Sequence, residues 1–554
     1  MSHETTYGLE EEKEAPREER RGGRFSQLST VYLMILLFFL AGIVWYGFYS
    51  SHIKEIAGSD DREYVSIARN IVNGKGIVRN FIYPVDINFF NQLPIPEFVH
   101  PPGYPLILAG FFKLFGTHEF AALLPSYVSY FILVLLFFCF ARSTLEGKAA
   151  TLAVILLIFN REILQMSLVA LSEGVYTVFF FLFFILFVKA SSLKTIFVAG
   201  FILGLSHLIR ENIYPFLIPL FFYLYFYPPL PRWKKMVFFL VGFLIPLLPN
   251  LVRNFLTTGS PFFSYGKFAF MAFTEKYPWL NIYRDIENPS LFKFFMEDLG
   301  LFFLKYISNV VTATEKLLSV SNLYLLAFAL IEMFNWRSSS DWRRIKLLFL
   351  SLVISQILFI SLFTFTYRFF TPFLPLIILF GAQAFLRLSE GVTREVKSYL
   401  KREIPSLIIS IFILFFTVPT LYAILRPDKP AQLNFKAPSF GFLIQKDEAE
   451  RVNEFLRKEL KGDEVVWTDL PEILEWEGDR SCGWLPTRVE TIYEIHKKIR
   501  VDAILLTSLR TPHQMEEQWR YLLFSEQSLP RYRNVKWYRG KVIIAKLLIR
   551  DEKD

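Results

Sequence analysis

Residues 31–48 read VYLMILLFFLAGIVWYGF, eighteen positions without a charge. A helix needs about 20 mostly apolar residues to cross a bilayer, so this run with its flanks is long enough to do so. Directly after it comes GSDDREYVSIARNIVNGKGI, residues 58–77, where adjacent carboxylates, Asp60 and Asp61, head an amphipathic pattern. Runs like the first recur along the chain. Of 554 residues, 53% are hydrophobic and only 20% charged, with a mean hydropathy of +0.36. A soluble chain of this length carries more charge. The chain therefore reads as a polytopic α-helical membrane protein.

About eleven segments meet the length rule: 30–49, 119–141, 149–167, 170–188, 195–210, 213–228, 236–253, 318–334, 346–365, 370–386 and 405–424. Two of them, 149–167 and 213–228, are short or polar-tipped runs that also read as re-entrant. Lys and Arg are retained in cytoplasmic loops. With eleven spans, Arg20/Arg21/Arg24, Arg142/Lys148, Lys189/Lys194, Arg232/Lys234/Lys235, Arg337/Arg343/Arg344/Lys346 and Arg387/Arg394/Lys397/Lys401/Arg402 all fall on one side. That places the N-terminus in the cytoplasm and residues 427–554 outside, in a multi-pass protein of the cytoplasmic membrane. The net charge of +9 then reflects topology and anionic membrane lipids, and nucleic acid is not a partner. Residues 1–28 are charged and nearly free of apolar side chains, so disorder is expected there. The run after them is too long for a secretory h-region and reads as a retained signal anchor. Cys139 lies in an apolar run and Cys482 in the polar tail, so no disulfide is expected.

The outer side breaks the charge pattern. Arg161 (FNREIL), Arg210 (LIRENIYP), Arg253 (PNLVRNF) and Arg368 (FTYRFFTP) stand nearly alone at outer helix mouths, beside Asp60, Asp61, Glu173 (LSEGVY) and Glu211. One such arginine reads as well as a snorkelling interfacial residue. Four together with acids fit a shared polar pocket better, because ionisable groups near a span face a cavity, a partner or a ligand.

The first outer loop, 50–118, is too long for a connector. Ser59 is expected to cap a helix with apolar positions Tyr64, Ile67, Ala68 and Ile71, ending near Asn73–Gly76 and lying along the membrane surface or bundle top. Asp60 and Asp61 at its start are either cap acids favoured by the dipole or functional groups. HPPGYP, residues 100–105, must bend, since prolines remove donors and restrict their neighbours. The outer loop 254–317 is rich in aromatics and suits a lid or vestibule. The tail, 427–554, alternates helix and strand signals and reads as a small extracytoplasmic α/β domain. It has no phosphate loop or nucleophile elbow. No His or Cys spacing matches a metal site.

In order along the chain, SDDREYVSIARNIVNGKG, HPPGYPLILAGFFKLFGTHEFAALLPS, LVALSEGVY, GFILGLSHLIREN, LPNLVRNFLTTGSPFF and YRFFTPFLP resemble C-type (GT-C) membrane glycosyltransferases. The branch is the prokaryotic one near protein O-mannosyltransferases and lipid A aminoarabinose transferases. DLPEILEWEGDRSCGWLP in the tail resembles the C-terminal domains of that branch. The resemblance implies a GT-C-like transmembrane catalytic domain over 29–426. It implies transfer of a hexose or pentose from a polyprenyl-phosphate donor to an extracytoplasmic lipid, glycan or protein, with inversion. Asp60 matches the leading acid and would be the base, Asp61 the second acidic place, and Glu173 the acid of an SE-type helix end. Arg210, Arg253, Arg368 and Arg161 are the candidates for holding the donor phosphate. Tyr64, His100, Tyr104, Glu119 and Asn254 are candidate pocket residues. Leu123 stands where the family often has Arg. No cofactor is implied, and a divalent metal is left open. The competing readings are a transporter or flippase for anionic lipid-linked sugars, and a lipid-linked polysaccharide ligase or polymerase.

Overall fold

The computed structural model describes residues 17–52, 56, 58–226, 230–336, 338–363, 367–395, 403–425, 446–509, 517–540 and 543–551. In chain order the first part comprises α1 (Arg17–Ser51), α2 (Ser59–Val72), β1 (Val78–Arg79), β2 (Phe81–Ile82), β3 (Ile95–Pro96), α3 (Gly103–Phe115), α4 (Glu119–Thr144), α5 (Gly147–Ile158), α6 (Arg161–Ser167), α7 (Ser172–Val188) and α8 (Leu193–Ile209). Then come α9 (Tyr214–Phe226), α10 (Arg232–Thr258), α11 (Gly266–Met271), α12 (Leu291–Val320), α13 (Leu323–Met333), α14 (Ser340–Ile360), α15 (Leu374–Glu395) and α16 (Glu403–Leu425). The tail adds α17 (Lys446–Glu459), β4 (Val466–Thr468), α18 (Pro471–Trp476), β5 (Cys482–Trp484), α19 (Thr491–His496), β6 (Ala503–Thr507), α20 (Glu517–Phe524), β7 (Asn534–Arg539) and β8 (Ile544–Ile549).

Where its residues are described, each of the eleven apolar segments falls mainly on helix, but not each as one straight span. Among the described residues five helices are long and apolar enough to cross a membrane, or seven if each of two bent pairs counts as one. The first pair, α5 and α6, bends by 51° and the second, α12 and α13, by 102°. Both breaks sit at an asparagine that caps the next helix. Asn160 accepts from the Ile163 amide at 3.1 Å, and Asn322 from the Tyr324 amide at 3.2 Å with φ of 60°. An Asn side chain competes with the helix for its own backbone groups, which is why it caps rather than continues. Segment 318–334 is thus a corner, and the expected loop 254–317 carries the 30-residue helix α12. At the N-terminus, residues 1–16 lie outside the described residues. Residues 17–28, expected to be disordered, continue α1 as helix, in line with the helix propensity of their Glu and Arg residues. Of the basic loop residues, Arg337, Lys397, Lys401 and Arg402 lie outside the described residues.

The tightest helix pair is α8 against α10. A Cβ at Gly200 would meet the Phe239 carbonyl at 2.2 Å, one at Gly204 the Phe243 carbonyl at 2.4 Å, and one at Gly242 the Phe197 carbonyl at 2.2 Å. This is a small-xxx-small seam, which lets backbones approach where lipid offers no hydrophobic drive.

At one end of the bundle lies a six-stranded sheet of order β2-β5-β4-β6-β8-β7. Strands β2, β5, β4 and β6 are parallel, and β8 and β7 are antiparallel to their neighbours. The edge strand β2 comes from the first outer loop, pairing Phe81 with Cys482 and Ile82 with Gly483. One sheet face packs with Tyr265, Phe268 and Ile282 of the 254–317 segment, and the other with Trp467, Ile492 and Trp519. The sheet is therefore built from the first outer segment and the tail, with the second outer segment covering one face, and a boundary at residue 427 does not separate it from the rest. Residues 426–445 lie outside the described residues.

Of the two expected places for α2, the membrane surface or the bundle top, it takes the second, and it is enclosed there. Residues Asp61–Ala68 and Asn70 are buried, because α2 is enclosed between α3, β1 and α18. Its polar face is matched rather than solvated. Arg69 donates to the carbonyls of Trp476 at 2.9 Å and Glu475 at 2.5 Å, and Arg62 lies 3.8 Å from Glu477. The loop after α2 is fixed by buried Arg79, 2.7 Å from Asp86 and 3.3 Å from Glu97.

Candidate functional site

Several helices end together at the sheet-bearing end of the bundle. Glu173 is in the first turn of α7 and Asp60 in that of α2, where the helix dipole favours an anion. Arg210 is the residue at which α8 ends, where a cation is favoured. Arg368 lies in a short 3-10 turn before α15. His100 precedes α3, whose start is drawn against α8: a Cβ at Gly103 would meet the Leu208 carbonyl at 2.6 Å. Only glycine permits that approach in the HPPGYP bend.

These ends surround a cavity of about 590 Å³ lined by Asp60, Tyr64, His100, Glu173, Arg210, Asn254 and Arg368. Arg368 Nη2 is 2.7 Å from Asp60 Oδ2, and its Nη1 is 3.4 Å from Glu173 Oε1. Arg210 Nη1 is 2.5 Å from the same Glu173 oxygen, and its guanidinium lies 4.7 Å from the Phe369 ring centre. Two guanidinium groups and two carboxylates are thus joined through one buried glutamate, which is 2% exposed against 44% for the Asp60 side chain. Beyond this cluster the wall is largely aromatic, with Phe262, Phe263, Tyr265, Phe270 and Phe363.

The protonation states follow from the neighbours. Crowding by protein raises the Asp60 carboxyl, but Arg368, His100 and Arg210 outweigh this and hold it below the usual value of 3.8. For His100, burial lowers the pKa, whereas its 2.8 Å contact with Glu63 and the charges of Glu97 and Asp60 raise it to about 9. His100 is therefore a cation beside the cavity at neutral pH. Tyr64 packs against both His100 and Tyr104, with ring centres 4.6 and 5.0 Å away.

Five sequence candidates fall outside the cavity lining. Asp61 is buried and folds back on the Gly58 backbone; burial is the main cause lifting its pKa to about 6. It serves the helix start where Ser59 was expected to, and Gly58 is the capping residue. A Cβ at Gly58 would meet Asp61 Oδ1 at 2.2 Å. Arg253 points to the sheet side, donating to the carbonyls of Glu97 at 2.6 Å and Ile77 at 3.2 Å and lying over Phe98. Arg161 starts α6 and is not among the residues that line the cavity. Glu119 pairs with Lys446 of α17 at 3.0 Å. Tyr104 is fully buried behind Tyr64.

Other residues reach the site without having been singled out. Glu63, which holds His100, lies one turn after Asp60, so helical spacing pointed to it. Gln356 is a lone amide within the apolar run LVISQILF and also lines the cavity. Among the described residues no group of three or more His, Cys, Asp or Glu is placed to hold a metal ion.

Residues 99–252 match the family model for dolichyl-phosphate-mannose-protein mannosyltransferase. ArnT from Cupriavidus metallidurans bound to undecaprenyl phosphate is similar in fold, with a TM-score of 0.53 and 12% identity over 93% of this chain and 97% of that one. Its apo form gives 0.50 and 13% over 94% and 98%. No curated protein sequence matches the chain. The chain resembles the GT-C membrane glycosyltransferases, and it is a multi-pass membrane protein.

Proposed function

We propose that the chain transfers a sugar from a polyprenyl-phosphate donor to an acceptor outside the cytoplasm, inverting the anomeric carbon. The observation that carries this reading is Arg368 held between Asp60 and Glu173 in an amphipathic cavity. An acceptor hydroxyl or amine attacks the anomeric carbon and gives its proton to Asp60. The bond from that carbon to the phosphate oxygen breaks, and the phosphate leaves with the electron pair as the polyprenyl monophosphate. One base and one displacement give inversion.

The anionic leaving group needs preorganised positive charge, which is commonly the largest catalytic contribution. Arg210 and Arg368 supply it, since a guanidinium fork suits phosphate. The donor phosphate competes with Asp60 for Arg368 and frees the carboxylate to act as base. Glu173 keeps hold of both arginines and aligns them. Arg253 and Arg161 have no part in this step. A fold shared with a protein seen bound to undecaprenyl phosphate supports a lipid-phosphate donor, and the aromatic wall offers a surface for sugar or prenyl carbons.

The sheet-bearing end faces out of the cell in this reading. Arg142, Lys148, Lys189, Lys235, Arg343 and Lys346 lie at helix ends opposite the cavity, as retention of basic loops in the cytoplasm requires. The test is covalent: purified full-length chain, a labelled sugar on a polyprenyl monophosphate, and an envelope extract as acceptor. Label carried into a product by the wild type, but not by Asp60→Asn, supports the reading. Label that stays on the donor with every acceptor fraction overturns it.

A further inference from the structure

A second cavity, of about 580 Å³, lies at the opposite end of the bundle between α1, α4, α5, α15 and α16. Its mouth carries Arg142, Lys148, Ser29, Thr30 and Thr151. Deeper, the walls are Leu33, Leu152, Ile155 and Ile413. On α5 the polar positions come first and the apolar ones follow, so Ile155 lies about 10 Å further in than Lys148. The same order holds on α1, where Ser29 and Thr30 precede Leu33. No Asp or Glu is among the described residues lining it. Arg142 is set across this mouth. Its Nη2 donates to Thr30 at 3.4 Å, and its Nε is buried with no hydrogen-bond partner among the described residues. Gly147 leaves room for it, since a Cβ there would meet Nη1 at 2.8 Å. Helices α1 and α16 show apolar side chains outward, among them Leu36, Phe39, Leu407 and Ile411, so the cavity borders lipid.

We infer that this cavity is a binding site for one anionic phospholipid of the leaflet opposite the sheet, its phosphate on Arg142 and Lys148 and an acyl chain along Leu152, Ile155 and Ile413. Two cations with no acid among the described lining residues select a negative headgroup, and the depth gradient from hydroxyls to aliphatics matches a glycerophospholipid from head to chain. The position, at the far end from Asp60, separates this lipid from any donor used in transfer.

The experiment is native mass spectrometry of the full-length chain, delipidated in detergent and titrated with phosphatidylglycerol, phosphatidylcholine or undecaprenyl phosphate. The wild type is expected to take one phosphatidylglycerol with preference over phosphatidylcholine. The double variant R142Q/K148Q should lose about tenfold or more of that affinity, since each basic side chain near a membrane surface contributes comparably. In the wild type, a phosphatidylglycerol with a photoreactive acyl chain should label residues 147–155 or 409–413. Labelling elsewhere, equal binding of phosphatidylglycerol and phosphatidylcholine, or stronger protection of these peptides by undecaprenyl phosphate would each overturn the assignment. Sugar transfer is not the readout, so this result stands apart from the proposed activity.

Discussion

Arg368 Nη2 lies 2.7 Å from Asp60 Oδ2, joining a residue near position 370 to the first helix after the first span. The same guanidinium reaches Glu173 at 3.4 Å, so its charge is shared between an exposed and a buried carboxylate. An exposed partner is the one a ligand displaces more readily, because Asp60 regains water or a substrate proton when released.

Asp60→Asn keeps the size and polarity of the side chain but removes the base. Transfer kcat is expected to fall about 10²- to 10⁴-fold. Donor binding should hold or tighten, because Arg368 no longer shares its charge with a carboxylate. Steady-state kinetics with donor binding measured separately would show the split; a changed donor affinity at unchanged kcat contradicts it.

Arg253 and Arg368 resemble each other in sequence and differ in place. Arg368→Ala should weaken donor binding at least tenfold with little change in thermal midpoint. Arg253→Ala frees the Glu97 and Ile77 carbonyls and should lower the midpoint while donor affinity stays within about twofold. Lost charged hydrogen bonds of this kind cost about 1.5–3 kcal/mol each. The check is donor titration and thermal unfolding on the same two preparations.

Arg69 ties α2 to the tail through the Trp476 and Glu475 carbonyls and lies 5.0 Å from the Trp476 ring centre. Arg69→Ala should destabilise the protein by about 2 kcal/mol and lower kcat more than it changes donor affinity, because α2 carries the base. Thermal unfolding with kinetics at saturating donor reads both effects. A variant with native kcat would mean that the tail does not position α2.

The pH dependence has a definite sign. His100 is raised from 6.5 to about 9, so its stabilising contact with Glu63 is fully present below about pH 6.5 and is lost as pH rises through 9. The thermal midpoint of the wild type should fall across that window, and His100→Gln should lack this part of the fall. Asp60 is depressed below 3.8, so its paired carboxylate persists above that value and is lost only as pH falls through the lower, folded pKa. Unfolding curves from pH 2 to 10 would display both features.

Much of the site was legible because charge is scarce in an apolar chain. Asp60, Glu173, Arg210 and Arg368 stood out for that reason, and the cavity brings them together. The same signal pointed to Arg253 and Arg161, since sequence gives the end of a helix but not its rotation or the direction of its last side chain. The capping asparagines at 160 and 322 were not singled out, because hydropathy windows average over a single residue and miss the bends. In the tail, α17, α19, α20 and the β7–β8 hairpin lie where periodicity puts them. Strand β2 was not legible. Two residues carry no pattern, and their partner Cys482 lies about 400 positions away.

The most direct measurement is a structure of the full-length chain with a polyprenyl phosphate bound. The phosphate oxygens should lie within hydrogen-bonding distance of Arg210 and Arg368, with Arg368 drawn off Asp60 and Glu173 still on both arginines. A phosphate bound away from these two residues, or one that leaves the Arg368–Asp60 contact in place, would contradict the account.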